Sequence, residues 1–350
     1  MTYQLTIEPL GETIAVEDGQ TMLDACLRAG VWLPHACGHG LCGTCKVEVL
    51  EGQVTHNEAS SFALMDFERD EGKALACTAT LDADTIIEAE IDNDPDARRI
   101  PIRDFKGVIE RAQMLAEDVL GLWLKVPGEG VAFQAGQYLA VSAPGVEGPR
   151  SFSIASPPSQ PNCIELHIRI VPGGKATTWL RQNAAPGMPL DFAGPYGRFY
   201  VRHSVALPRL FLAGGSGLSS PQSMILDLLE RGETQPITLV HGARSADGLY
   251  HSALFRELAE RHGNFRYIPA VSGETDGWKG ETGFVHEVIH RLYNGRFDGN
   301  QAYLCGPAPM IDACITTLMR GRLFEQHIFT EKFLTPADAE KARSPLFRKI

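Results

Sequence analysis

The sequence predicts a multidomain protein that joins an α+β domain, an antiparallel β-barrel and a doubly wound α/β domain with a parallel sheet. Its 350 residues exceed what one hydrophobic core usually holds. The middle third is rich in short strands separated by turn residues, and the last third alternates strands with helices. These patterns predict domains at 1–93, 102–206 and 207–335, a charged linker at 94–101 and a polar tail at 336–350.

The first predicted domain begins with two alternating strands, "YQLTIEP" and "ETIAVE". A short helix follows, with Thr21 as its N-cap and Gly30 as its stop, and Cys26 lies on the apolar face of that helix. After a cysteine-rich loop we expect a strand at "KVEVL", a helix in "SSFALMDFERD" and a strand at "DTIIEAEI". This mixture predicts an α+β domain.

Charge is distributed unevenly along the chain. The net charge is −11, yet residues 1–96 carry −15 and the remainder carries +4. An acidic module argues against nucleic acid as a partner and favours association with a basic protein surface. Acidity that serves solubility alone is the alternative.

Cellular location is predicted from what the sequence lacks. No apolar run approaches the ~20 residues that a membrane crossing needs, and the first residues show no secretory pattern. We therefore expect a cytoplasmic protein with no membrane partner. In that compartment, the eight cysteines are expected to be metal ligands, catalytic thiols or core residues rather than disulfides.

The stretch "HACGHGLCGTCK" at residues 35–46 has the spacing of a plant-type 2Fe–2S site. Two cysteines follow the first in a C-x4-C-x2-C pattern, and a fourth lies 32 positions later. The predicted metal ligands are Cys37, Cys42, Cys45 and Cys77. The glycines between them would let backbone N–H groups approach the negatively charged sulfurs.

Other uses of these cysteines are less consistent with the pattern. Structural zinc usually takes paired C-x2-C knuckles, and only Cys42 and Cys45 form one. Cys37 and His39 match half of a Rieske site, but no second half exists, so His39 is expected to be a polar loop residue. Reduced core cysteines do not suit so glycine-rich a loop.

Two stretches of the barrel domain predict a flavin site. In "RSFSIAS", Arg150 is suited to a phosphate, Phe152 to packing on the cofactor and Ser153 to the edge of the flavin ring. About 20 residues later, "GGKATTWL" places a glycine pair before a helix, which suits a pyrophosphate. An ordinary buried strand and glycine turn are the alternative.

Two strand ends of the last domain predict a dinucleotide site. "LFLAGGSGLSSPQSM" places Gly214, Gly215 and Gly217 between a strand and a helix, although Ser220 replaces the third glycine of the usual fingerprint. "LCGPAPM" ends another strand, so its residues would meet the same ligand; they are Cys305, Gly306 and Pro307. A buried structural thiol is the alternative for Cys305.

Taken together, these stretches resemble the iron–sulfur flavoprotein reductases of the ferredoxin–NADP reductase superfamily. Within that group, "HACGHGLCGTCK", "AGGSGLSSPQSMILDLLERG" and "YLCGPAPMIDACITTLMRGRLFE" are most similar to reductase components of bacterial multicomponent phenol hydroxylases. The resemblance implies an N-terminal β-grasp ferredoxin domain, a FAD-binding barrel and an NAD-binding domain. It also implies three cofactors: a 2Fe–2S cluster, FAD and NADH.

The resemblance assigns further residues to sites. The flavin contacts that it implies are Arg150, Phe152, Ser153, His167, Arg169, Val171, Gly173, Gly174 and Thr177. The nicotinamide dinucleotide contacts that it implies are Gly214, Gly215 and Gly217, to which the strand-end position adds Gly306 and Pro307; the catalytic residues are Ser153, Cys305 and Glu331. Phe333 corresponds to a flavin-facing aromatic residue of the family, but here it is Phe rather than Tyr and the chain continues beyond it.

The expected reaction carries electrons from NADH through FAD and the cluster to the oxygenase component of a di-iron phenol or aromatic hydroxylase. After the second sheet strand, Asp247 suits the ribose hydroxyl of NADH, whereas Arg244 suits the extra phosphate of NADPH. The resemblance favours NADH. The alternatives are a reductase for a ring-hydroxylating dioxygenase or a methane or toluene monooxygenase, an electron carrier that oxidises no nicotinamide, and a zinc module fused to a binding domain.

Overall fold

The computed structural model describes residues 1–35, 38, 40–91, 93–273 and 276–333. The ligand expected at Cys37, the loop residue His39 and the tail at 336–350 lie outside these residues. The chain divides into two compact units, of which one comprises Met1–Asp104 with Gly194–Arg198 and the other holds the remaining described residues. The second unit contains the parallel sheet and most of the barrel.

The first unit is built on a mixed five-stranded sheet. Its elements are β1 (Thr2–Glu8), β2 (Glu12–Glu17), α1 (Met22–Ala29), β3 (Lys46–Glu51), β4 (Val54–Thr55), α2 (Asp66–Asp70), β5 (Lys73–Leu75), β6 (Thr80–Leu81) and β7 (Thr85–Glu88). The strand order is β2-β1-β7-β3-β5, with β1 and β7 parallel and the other pairs antiparallel. This mixed sheet beside a helix agrees with the expected α+β fold.

Helix α1 begins and ends where the sequence predicts. The hydroxyl of Thr21 accepts a hydrogen bond from Asp24 N at 3.3 Å, and Gly30 ends the helix in the left-handed region with φ 83°. Cys26 is fully buried. Its expected place in the core is therefore confirmed, and it is separate from the cysteine-rich loop.

The expected helix in "SSFALMDFERD" is shorter than predicted, because only α2 is α-helical. The Ser60 carbonyl closes a turn by accepting from the N–H groups of Ala63 and Leu64. Met65 then adopts an extended conformation, and its N–H donates to Glu68 Oε2 at 2.9 Å. The turn and this cap delay the start of the helix.

A six-stranded antiparallel barrel begins the second unit. Its elements are β8 (Arg103–Ala116), β9 (Val119–Lys125), β10 (Tyr138–Ser142), β11 (Arg150–Ser153), β12 (Cys163–Arg169), α3 (Lys175–Asn183) and β13 (Pro189–Tyr196). The strand order is β11-β10-β13-β8-β9-β12, and a bridge between Ile154 and Leu166 joins the two ends of the sheet. The barrel prediction is confirmed.

A parallel sheet completes the second unit. Its elements are β14 (Arg209–Gly214), α4 (Ser219–Glu230), β15 (Ile237–Ala243), α5 (Ser252–Arg261), β16 (Phe265–Val271), β17 (Glu281–Thr282), α6 (Val285–Leu292), β18 (Gln301–Pro307), α7 (Ala308–Arg320) and β19 (Ile328–Phe333). The order β17-β16-β15-β14-β18-β19 reverses direction between β14 and β18. Ligands of doubly wound sheets bind beside such a reversal, at the carboxyl ends of the strands.

Both faces of this sheet are covered, as the doubly wound prediction requires. Phe211 belongs to a core shared with α4 and α5, whereas its neighbour Leu212 belongs to a core shared with α6 and α7. Successive residues of a strand point to opposite faces. Among the residues that the structure describes, no helix combines the length and apolarity that a membrane crossing requires.

Candidate functional site

The cysteine-rich loop brings thiols and backbone donors together. Cys45 and Cys77 are buried and Cys42 is exposed, and none of the three is in a disulfide. The N–H of Gly40 donates to Cys77 Sγ at 3.3 Å. A hydrogen bond with Cys77 lowers the pKa of Cys45. An N–H donor and a lowered thiol pKa both favour thiolate, the form that binds iron.

Close packing explains two glycines of this loop. Gly40 has φ +71°, and a Cβ there would lie 2.8 Å from Thr78 Cγ2 and 3.1 Å from the Glu58 carbonyl oxygen. Gly43 has φ +75°, and its Cβ would lie 3.3 Å from the Ala63 carbonyl oxygen. A side chain at either position would push the loop away from the cysteines, so the donor set and its cradle fit a cluster.

The predicted flavin strand, β11, lies at one end of the barrel sheet. The guanidinium of exposed Arg150 donates to the carbonyls of the turn before it, the shortest contact being 2.9 Å to Pro149. Phe152 packs against the barrel core, and Ser153 is buried. The three side chains therefore have different surroundings, and their contacts with flavin stay predictions.

The predicted pyrophosphate turn leads directly into α3. Gly173 has φ +75°, and Gly174 is the residue before the helix. The Thr177 hydroxyl accepts from Val171 N and donates to the Gly174 carbonyl, both at 3.3 Å. This bracing holds the turn against the helix N-terminus, where backbone N–H groups favour an anion.

His167 and Arg169 follow on the outer face of β12. Arg169 is exposed and lies 3.3 Å from Asp118. The His167 ring is buried, with Nε2 2.9 Å from Glu165 Oε1 and Nδ1 3.2 Å from the Tyr250 hydroxyl. Neighbouring His251 has a pKa lowered to about 4, mainly by desolvation, so its ring is neutral at pH 7.

The two predicted dinucleotide-binding strand ends meet at the reversal in strand order. β14 and β18 are hydrogen-bonded neighbours. Gly217, in the turn after β14, lies so close to β18 that a Cβ there would be 2.3 Å from the Cys305 carbonyl oxygen. Gly306 has φ +146° and lies against the Gly214 backbone. This close backbone approach fits a dinucleotide-binding crevice.

The carboxyl group of Glu331 connects the flavin strand with this crevice. Glu331 Oε2 accepts from Ser220 Oγ at 2.7 Å, from Ser153 Oγ at 3.0 Å and from Cys305 Sγ at 3.5 Å. Desolvation raises the pKa of Glu331, and burial raises the pKa of the Cys305 thiol well above its usual range. The arrangement joins the three predicted catalytic residues.

Phe333 ends β19 and pairs with Pro307 of β18. The ring is half-buried and packs against the core beneath α4 and α5. The predicted contact between Phe333 and flavin stays a prediction.

Sequence reasoning missed several of these contacts. Ser220 was interpreted as a departure from the glycine fingerprint, whereas it supplies the shortest hydrogen bond to Glu331. The cluster of Glu165, Tyr250 and His251 was not foreseen, because its members lie far apart in the sequence. In "ELH", two polar residues alternate with an apolar one on an otherwise apolar strand. This pattern could have indicated that Glu165 and His167 share one face.

Three family descriptions match successive parts of the chain. They are a 2Fe-2S iron-sulfur cluster binding domain at residues 5–82, an oxidoreductase FAD-binding domain at 106–200 and an oxidoreductase NAD-binding domain at 211–315. Each range coincides with one of the three sheets above, so the predicted cofactors are confirmed. The predicted domain boundaries stay predictions.

Two relatives match the chain over its full length. The chain is 54% identical to the reductase component DmpP of phenol 2-monooxygenase from Pseudomonas sp. (strain CF600) and 52% identical to the phenol hydroxylase P5 protein of Acinetobacter pittii (strain PHEA-2), over 100% of both chains in each case. The crystal structure of the Amycolatopsis cytochrome P450 reductase GcoB matches with a TM-score of 0.87 and 35% identity, covering 95% of this chain and 99% of that one.

Proposed function

This chain belongs to the iron–sulfur flavoprotein reductases that include the reductase components of phenol hydroxylases, and from that membership we propose that it carries electrons from NADH, through FAD and a 2Fe–2S cluster, to the oxygenase component of a di-iron phenol hydroxylase. The observation that carries the proposal is the meeting of Ser153 and Cys305 at Glu331. This contact supports the proposal because the end of the predicted flavin strand and the predicted nicotinamide crevice share one carboxyl group.

The three cofactors divide the chemistry. A bound flavin would supply the exchange between the electron pair that nicotinamide gives up as a hydride and the single electrons that an iron–sulfur cluster takes. The chain's own residues supply position and local charge. Three donors converge on one oxygen of Glu331, so any proton that this carboxyl carries lies on Oε1.

Residues on both sides of the crevice hold the reactants in the proposed site. Gly217 lets the turn after β14 approach the backbone of β18 at Cys305, whose Sγ donates to Glu331 Oε2 at 3.5 Å. Burial keeps the Cys305 thiol protonated, so it can donate a hydrogen bond and does not act as a nucleophile. We propose that Ser153 and Cys305 position the reacting rings.

The proposed ligands of the cluster are Cys37, Cys42, Cys45 and Cys77, with the N–H of Gly40 directed at one sulfur. The exposed aromatic surface of the same unit is suited to the partner. Phe62 and Phe67 are 53% and 55% exposed, and Asp66 lies between them in the sequence. Together with the net charge of −15 over residues 1–96, this surface favours a partner with an apolar patch surrounded by basic residues.

The cytoplasm is the proposed location. None of the seven described cysteines is in a disulfide, which agrees with a reducing compartment. NADH is the proposed electron donor, with Asp247 beyond the end of β15 serving the ribose.

Reconstitution with purified oxygenase components tests this function. Phenol hydroxylation driven by NADH should require the phenol hydroxylase oxygenase and should weaken as ionic strength rises, because charge steers the encounter. Activity that is equal with a ring-hydroxylating dioxygenase or a toluene monooxygenase would contradict the proposed partner. Equal activity with NADPH would contradict the proposed donor.

A further inference from the structure

Three side chains of types that can bind a metal ion meet beside the barrel. Glu165 and His167 lie on β12, and His251 immediately precedes α5. Glu165 Oε1 is 2.9 Å from His167 Nε2 and 3.7 Å from His251 Nε2, and one ligand atom of each residue lies within 4.8 Å of the other two.

The hydrogen bonds of His251 fix which ring nitrogen carries the hydrogen. Its Nδ1 lies 2.8 Å from Gln222 Oε1, while Gln222 Nε2 donates to Glu165 Oε2 at 3.2 Å. An amide oxygen only accepts hydrogen bonds, so Nδ1 of His251 is the donor. In the neutral ring the lone pair of Nε2 then points toward Glu165.

The hydrogen bonds of His167 give the same result. The Tyr250 hydroxyl donates to the Gly215 carbonyl at 3.1 Å, which uses its single hydrogen. The Tyr250 oxygen therefore accepts from His167 Nδ1 at 3.2 Å. In the neutral ring, Nε2 of His167 therefore carries a lone pair, and Glu165 Oε1 lies 2.9 Å from it. Two lone pairs at this distance repel each other unless a positive charge lies between the nitrogen and the oxygen.

A proton on His167 would satisfy only one of these contacts. It would bridge the 2.9 Å contact and leave His251 Nε2 3.7 Å from the same carboxylate oxygen, beyond hydrogen-bond distance. A cation coordinates all three atoms at once. We propose that Glu165, His167 and His251 form a binding site for one divalent cation of the zinc type.

The dimensions and surroundings agree with such a site. Tetrahedral zinc with bonds of about 2.0–2.1 Å holds its ligand atoms roughly 3.3 Å apart, between the two distances to Glu165 Oε1. Two imidazoles and one carboxylate form a known zinc donor set, in which a water completes the coordination. The contacts of Gln222 and Tyr250 with the far ring nitrogens correspond to the partners that orient ligating histidines.

The site would connect two parts of the second unit. Two ligands come from a barrel strand, and the third comes from the parallel-sheet part. The His167 side chain is fully buried, whereas those of Glu165 and His251 are 13% and 20% exposed, so an ion would enter from the side of His251. The cation would brace the barrel against the dinucleotide-binding sheet.

Zinc binding to the full-length protein with its cluster intact tests this proposal. We expect wild type to bind one equivalent in equilibrium dialysis against zinc chloride, with visible absorbance monitored to show that the cluster is unchanged. His251→Asn keeps a donor for Gln222 but lacks Nε2, so its affinity should fall at least about tenfold. His290→Asn, on exposed α6 surface, is the matched control and should bind as wild type does.

Two further measurements make the test independent of any one variant. Zinc should raise the thermal midpoint of wild type but not that of Glu165→Gln, and the zinc K-edge spectrum should show nitrogen and oxygen ligands. Absence of binding, equal binding by His251→Asn, or sulfur ligation in the spectrum would each overturn the proposal. Absence of zinc binding would mean that a proton, not a metal ion, lies between His167 Nε2 and Glu165 Oε1.

Discussion

The hydroxyl of Ser153 donates to the carboxyl of Glu331 across 3.0 Å, although the two residues are 178 positions apart in the chain. This contact ties the end of β11 in the barrel to β19 of the parallel sheet. Ser220 and Cys305 donate to the same oxygen, so the position of one carboxyl group depends on four elements or turns.

Replacing Glu331 with Gln should slow reduction of the flavin by NADH. The amide can accept fewer of the three hydrogen bonds and shifts the groups around it, and small displacements of reacting groups cost about 10- to 100-fold in rate. Anaerobic stopped-flow measurements of flavin bleaching report this step directly. Glu325→Gln, at an exposed position, should behave as wild type, and an unaffected rate in Glu331→Gln would argue against the role of this carboxyl.

The raised pKa of Glu331 should make stability depend on pH. Because the folded pKa lies above the unfolded value of 4.5, its contribution is complete at low pH and is lost as pH rises through the folded pKa. The amide in Glu331→Gln cannot ionise. The thermal midpoint of this variant should therefore rise relative to that of wild type as pH increases above 4.5. Thermal unfolding across a pH series measures the difference, and a gap that stays constant would refute the shift.

Adding a methyl group at Gly217 should disrupt the dinucleotide crevice. The new Cβ would meet the Cys305 carbonyl at 2.3 Å, and backbone must move to relieve the overlap. We expect Gly217→Ala to raise KM for NADH and to lower the thermal midpoint. Gly263→Ala is the matched control, because a Cβ there has no atom within 4 Å. Similar kinetics for the two variants would show that the close approach is not required.

Removal of one predicted cluster ligand should separate the two halves of the electron path. Cys77→Ser should lose the iron–sulfur absorbance and the transfer to the oxygenase, while NADH still bleaches the flavin. Cys163→Ser, which changes a thiol on the barrel strand β12, should keep both properties. Iron and acid-labile sulfide analysis distinguishes the variants, and an intact cluster in Cys77→Ser would remove Cys77 from the ligand set.

A buried ion pair at the start of β14 should matter for stability. Arg209 is 2% exposed, and its guanidinium lies 2.7 Å from Glu233. Glu233→Ala leaves that charge unpaired in the interior, which typically costs about 3–5 kcal/mol. The exposed pair between Arg261 and Glu257 offers a control, since Glu257→Ala should cost no more than about 1 kcal/mol. Denaturant titration compares the two, and equal losses would contradict this account.

Local chemistry explains which features could be predicted from the sequence. The residues that cap α1 lie next to the helix in the sequence. The glycines at the strand ends of the parallel sheet likewise lie directly after the strands that they end. Contacts across long separations could not be derived in this way. Ser220 was noted only where the glycine fingerprint departs from its usual form, and its contact with Glu331 at 2.7 Å depends on the position of β19.

The cluster of Glu165, His167 and His251 shows the same limit. Neither the spacing of β12 residues nor the composition around α5 indicates that they meet, because the meeting depends on how the barrel packs against the parallel sheet. Local interactions shorten α2, because a turn forms where the helix was predicted to start. The periodicity of apolar residues does not show whether a turn or a helix forms there.

The most direct test of the central claim is an anaerobic titration of the purified protein with NADH, followed by visible absorbance. Both flavin and cluster bands should bleach, and about one and a half equivalents of NADH should complete the change, since flavin takes two electrons and the cluster takes one. A preparation with flavin and cluster bound, in which NADH leaves the cluster oxidised, would contradict it.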